Sequence, residues 1–123
     1  MTTHQIELAA RSVPLSLNAL RDAAYENAKA HGFHEVKRTV GDAIMLIVTE
    51  AGEAFEAYRE GAPVNEMRYE PNGKPVGVPS EIADIIIRCL DFSGEYGIDI
   101  ERAVLEKMKF NLSRPFKHGN KAL

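Results

Sequence analysis

Residues 81–96 read EIADIIIRCLDFSGEY, and at 100° per residue Glu81, Asp84, Arg88, Asp91 and Glu95 fall in one stripe about 80° wide. Everything else in the segment is apolar or small. Ile82, Ile85, Ile86, Ile87, Cys89, Leu90, Phe92 and Tyr96 spread over a far wider arc than the ~100° a surface helix needs to pack on one core. The pattern predicts a helix central in a bundle or bundle-like dimer, its polar stripe opening into a groove or onto solvent. Ser80, or Pro79 in the first turn, opens this helix and Gly97 closes it.

Working outward, a helix from Thr39 or Asp42 to Gly61 places Ile44, Ile47, Val48, Ala51, Phe55 and Tyr58 on one narrow stripe. Earlier, Ser16 caps a helix carrying Leu17, Leu20, Ala24 and Ala28, with Gly32 as its left-handed stop. Later, Asp99 caps a fourth helix through Asn111, and Pro115 limits its extension. Between Gly61 and Pro79, four prolines and three glycines mark a long loop. Asn72-Gly73 within it favours the type I′ turn of a small β-ribbon. The fold class is thus all-α, a bundle of four to five helices. An N-terminal arm covers 1–14, the helical domain 15–114 and a basic tail 115–123.

The bulk numbers fit one domain of 123 residues. Its 45% hydrophobic and 27% charged residues exclude a disordered or collagen-like chain. A formal charge of −3 argues against a nucleic-acid partner, because such binders draw affinity from phosphate neutralisation. Cys89 is the only cysteine, so no intramolecular disulfide forms, and its apolar surround suggests a buried thiol in a reducing, cytoplasmic setting. No stretch approaches the ~18 apolar residues of a membrane span, and the N-terminus has no basic region followed by an apolar core. No membrane partner is expected.

Residues three apart on a helix share a face, so Glu50 and Glu53 point at a common target, and Glu81 and Asp84 repeat that geometry. Facing each other across a bundle, the two pairs make an oxygen-rich cage for a hard cation such as Mg²⁺ or Mn²⁺. Such carboxylates repel one another without a cation or proton. Acidic pairs at this spacing are also ordinary on solvated faces and in first helical turns. Lys107, Asn111 and Arg114 follow i, i+4, i+7 spacing, a polar and cationic row suited to phosphate oxygens or to a solvated helix end.

His4, His31, His34 and His118 show no i, i+4 pairing with one another, which argues against a zinc or di-iron histidine site; His31 suits a helix C-terminus. Neither a GxxxxGK loop nor a GxSxG elbow occurs. Phe33, Tyr58 and Tyr69 offer rings to a base, although packing is the usual fate of aromatics.

Residues 50–59 (EAGEAFEAYR), 81–99 (EIADIIIRCLDFSGEYGID) and 106–115 (EKMKFNLSRP) resemble the MazG-type all-α nucleotide pyrophosphohydrolases, from about Gly41 to Lys121. The family pattern ExxE, a gap, then ExxD reads here as Glu50, Glu53, Glu81 and Asp84. The resemblance implies a homodimer or tetramer that hydrolyses a nucleoside triphosphate to the monophosphate and pyrophosphate with Mg²⁺, or Mn²⁺ in its place. Glu50, Glu53, Glu81 and Asp84 would hold metal, with Glu50 and Glu53 as the catalytic residues. Lys107 and Asn111 would contact phosphates or ribose, with Arg114 as a further substrate contact. The 61–79 loop departs from compact members and bears on base specificity. Two alternatives remain open, a phosphoribosyl-nucleotide pyrophosphatase and a non-catalytic homodimerising interaction module.

Overall fold

The computed structural model describes residues 16–122; the expected arm over 1–14 lies outside the described residues. Helices α1 (Leu17–Ala30), α2 (Val40–Arg59), α3 (Val78–Glu95) and α4 (Ile100–Leu112) carry the fold. A two-stranded antiparallel ribbon, β1 (Arg68–Tyr69) and β2 (Pro75–Val76), lies between α2 and α3, and a short terminal turn, α5 (Lys117–Asn120), follows α4. The chain is therefore all-α, with a short β-ribbon between its two acidic helices.

Side-chain oxygens of Ser16, Thr39 and Asp99 accept the backbone N–H of Ala19, Asp42 and Arg102, satisfying donors that each helix start leaves without partners. At the end of α1, Gly32 adopts φ +81°. Its N–H donates to the Lys29 carbonyl, and the Phe33 N–H reaches back to the carbonyl of Ala28. This paired closure fixes where Phe33 leaves the helix.

Two local expectations need correction. Of the two openings expected for α3, Pro79 does lie in the first turn of a helix that begins at Val78 after Gly77, whereas Ser80 does not cap it and its hydroxyl donates to the Pro75 carbonyl. In the ribbon, the Gly73 N–H bonds the Glu70 carbonyl and the Glu70 N–H bonds the Lys74 carbonyl. Pro71 and Asn72 are thus the central turn residues and Gly73 (φ +87°) is the left-handed position after them. This is a type I turn with a following bulge rather than I′. Pro71 explains the choice, since its fixed φ is preset for the first central position of a type I turn.

Helix α3 lies between α1 and α2 and packs on both. Gly94 permits the closest approach, because a Cβ there would stand 2.5 Å from Cβ of Tyr25 on α1. On α2 the face turned toward α3 carries Ala43, Glu50 and Ala54, all buried. The apolar stripe Ile44, Val48, Ala51, Phe55 and Tyr58 is exposed, turned about 100° around the helix from that face. Only Ile47 of the expected stripe is half-buried. Among the described residues the buried apolar set is Ala23, Ala43, Ala54 and Leu90, a small core for this length. Ile82, Ile86 and Ile87 of α3 are exposed as well.

Candidate metal centre

Because the face of α2 that carries Ala43, Glu50 and Ala54 packs on α3, Glu50 and Glu53 meet Glu81. One carboxylate oxygen from each of Glu50, Glu53 and Glu81 lies within 4.8 Å of the others. Oxygens on one octahedral Mg²⁺ at about 2.0–2.1 Å stand about 2.9 Å apart when adjacent and about 4.2 Å when opposite, so the three glutamates would draw together to share one ion. Glu50 is only 8% exposed. Its Oε2 and the Oε2 of Glu81 are buried without a hydrogen-bond partner among the described residues. A buried carboxylate oxygen lacking a donor is costly, and either a proton or a hard cation can satisfy it.

Electrostatics mark the same place. Burial raises the Glu81 carboxyl above its ordinary value, and the charges of Glu53, Asp84 and Glu50 push it further, with Glu53 near enough to share a proton. Asp84 is also raised, by burial and then by Glu50, while Arg88 and Lys74 draw it back. Asp84 stands outside the three-glutamate cluster and instead lines, with Glu50, Arg88 and Asp91, a cavity of about 300 Å³. Walls of Ala24, Asn27, Ala28, Phe33 and Ile87 complete that cavity. On the other side Glu53 and Glu81 face the ribbon, where Glu56, Glu60, Glu70 and Gly77 line a second space of about 360 Å³.

The lower half of the α3 stripe is largely covered, although Asp91 lines the 300 Å³ cavity. Asp91 is 5% exposed and is closed over by the 31–39 connection. His34 Nε2 lies 2.8 Å from Asp91 Oδ1, and Arg38 Nη2 lies 2.7 Å from Asp91 Oδ2 and 3.4 Å from Glu95. Arg88, too, points at a carboxylate, its Nε 3.1 Å from Glu50 Oε1. In the sequence Arg88 stands in the stripe without a partner, His34 is only an unpaired histidine and Arg38 is not singled out; for the last two a signal existed. The signal was present in HEVKR (34–38), a basic segment facing an acidic stripe.

The cationic row of α4 lies elsewhere. Lys107 and Asn111 are exposed and Arg114 half-buried, and none of the three lines either cavity beside the glutamates. Lys107 and Arg114 instead sit over the ring of Phe110. His31 behaves as its position suggests, with Nδ1 2.8 Å from the Asn27 carbonyl at the end of α1. Cys89 is half-buried, and burial raises its thiol.

Comparison of the chain with protein families, with curated proteins and with solved structures finds no match. No helix among the described residues is long and apolar enough to cross a membrane.

Proposed function

We propose that the protein is a Mg²⁺-dependent pyrophosphohydrolase that cleaves a nucleoside triphosphate to the monophosphate and pyrophosphate. The observation that carries this reading is the pair of buried, donorless oxygens, Glu50 Oε2 and Glu81 Oε2, inside a three-glutamate cluster drawn from two helices. The resemblance of residues 50–59 and 81–99 to MazG-type enzymes supports it.

Glu50, Glu53 and Glu81 would hold the metal, with Asp84 beside them at the cavity mouth. A bound divalent ion supplies charge neutralisation for the triphosphate and a more acidic water at neutral pH. Glu53, exposed at the edge of the cluster, would orient or deprotonate that water, and buried Glu50 would anchor the ion. Arg88 offers the one guanidinium lining the 300 Å³ cavity, a fork suited to phosphate oxygens. Lys107, Asn111 and Arg114 reach the phosphates only if a second copy brings them there, and the uncovered stripe of α2 is the surface that favours a homodimer.

Purified protein with Mg²⁺ and a panel of canonical and modified triphosphates tests the reading. Monophosphate and pyrophosphate should appear from at least one substrate, and Glu53→Gln should abolish the activity. The same panel, extended to phosphoribosylated nucleotides, separates that sister chemistry. A non-catalytic homodimerising module is the second reading, favoured by the same exposed stripe. Such a module shows no ligand-linked stabilisation, whereas a ligand at 100 times its Kd adds about 2.7 kcal/mol.

A further inference from the structure

The 300 Å³ cavity runs from the carboxylates to a wall that has no use in metal or phosphate chemistry. Ala24, Asn27 and Ala28 share one face of α1, and Phe33 and Ile87 complete the lining. Two alanines one turn apart leave a shallow apolar trough, with a carboxamide between them. Phe33 is 64% exposed although it borders a cavity, and the bond from its N–H to the Ala28 carbonyl fixes its backbone beside that trough. An exposed ring on a backbone fixed at the end of α1, a shallow apolar trough and one carboxamide form a surface for a planar heterocycle with a polar edge.

We infer that this wall is the base subsite of the enzyme, with Phe33 as the stacking ring and Asn27 as the residue that reads the base edge. The inference rests on the pyrophosphohydrolase reading, in which metal held by the carboxylates at the other end of the cavity would bind the triphosphate. Tyr58 and Tyr69, the other rings considered from the sequence, are exposed and line neither this cavity nor the one beside the ribbon. Asn27 presents both donors and an acceptor, so it can bond either a carbonyl or an amino edge. An aspartate at 27 would present acceptors only, favouring bases with an amino group.

Steady-state kinetics on Asn27→Asp and Phe33→Ala decide the matter, both positions being exposed enough for substitution without unfolding. The ratio of kcat/KM for dCTP over dTTP should rise about tenfold in Asn27→Asp, a comparison in which any general loss of activity cancels. Phe33→Ala should raise KM for every nucleoside triphosphate about tenfold, while the inhibition constant of inorganic tripolyphosphate, which has no base, stays within about twofold. If the wild type turns over triphosphates but the ratio is unmoved, or if tripolyphosphate weakens in parallel, the subsite is overturned and the activity stands. If no triphosphate is hydrolysed, the proposed function falls and the subsite with it.

Discussion

Arg88 Nε stands 3.1 Å from Glu50 Oε1, so the one carboxylate buried in the three-glutamate cluster is held by a guanidinium on one oxygen and left without a partner among the described residues on the other. The cation therefore does two opposed things. It compensates a buried negative charge, and it repels any divalent ion that approaches the same carboxylate.

Replacing Arg88 should separate these effects. In Arg88→Gln the metal-free protein should lose about 1–3 kcal/mol, because Glu50 keeps its burial and loses its charged donor. The Mg²⁺ dissociation constant should fall about tenfold once the competing charge is gone. Isothermal titration with Mg²⁺ and urea denaturation without it read the two signs. Weaker metal binding in the variant would show instead that Arg88 organises the cage.

Protons compete for the same oxygens. Glu81 and Asp84 are raised above their ordinary 4.5 and 3.8, so the folded metal-free protein binds protons more tightly there than the unfolded chain does. Their contribution to stability is fully present below those ordinary values and is lost as pH rises through the raised ones. Metal binding runs the other way, since the ion takes only the ionised form. Mg²⁺ affinity should fall as pH drops through the raised values, and loading should release protons. Titrations in buffers of different ionisation enthalpy measure that release, and identical apparent enthalpies in all buffers would contradict it.

Much of this was legible in the sequence because capping and turn chemistry are local. Ser16, Thr39 and Asp99 cap as their positions suggest, and three of the four expected carboxylates, Glu50, Glu53 and Glu81, come together from two strongly periodic helices, with Asp84 outside the cluster. The orientation of α2 was not legible. Periodicity finds an apolar stripe but does not say what covers it, and the face that packs inside the chain is built from Ala43, Glu50 and Ala54. Small residues give little hydrophobic signal while permitting the close approach that brings Glu50 to Glu81. The pairing of His34 and Arg38 with Asp91 depends on two segments more than fifty residues apart, which no local spacing reveals.

Close approach also governs the contact between α1 and α3. A methyl group at position 94 would meet Tyr25 Cβ at 2.5 Å and the Arg21 carbonyl oxygen at 3.3 Å, so Gly94→Ala must push the helices apart. The overpacking should cost about 1–3 kcal/mol despite alanine's better helix propensity. A urea midpoint equal to wild type would show that α1 moves freely on α3.

The uncovered stripe of α2 gives a prediction about assembly. Val48 and Phe55 are exposed on the face turned away from α3, so a charge at Val48 disturbs no packing within the chain. If a second copy covers this face, Val48→Asp should convert a dimer to a monomer in sedimentation experiments while helicity is kept. The wild type sedimenting as a monomer at all concentrations would remove the homodimer.

Asp91 should be the most sensitive position outside the glutamates. It is 5% exposed and accepts Arg38 and a bond with His34, both side chains themselves largely buried. Asp91→Ala removes the shared partner and leaves Arg38 with only the longer 3.4 Å bond to Glu95. Breaking a buried pair from one side costs about 3–5 kcal/mol, because the remaining charge stays desolvated. Asp91→Asn keeps the shape and one acceptor, so its loss should be smaller. Urea denaturation should show the midpoint falling in that order with the slope unchanged. A loss below about 1 kcal/mol in Asp91→Ala would mean that solvent reaches Arg38 easily and that the 31–39 connection is not held on α3 by this cluster.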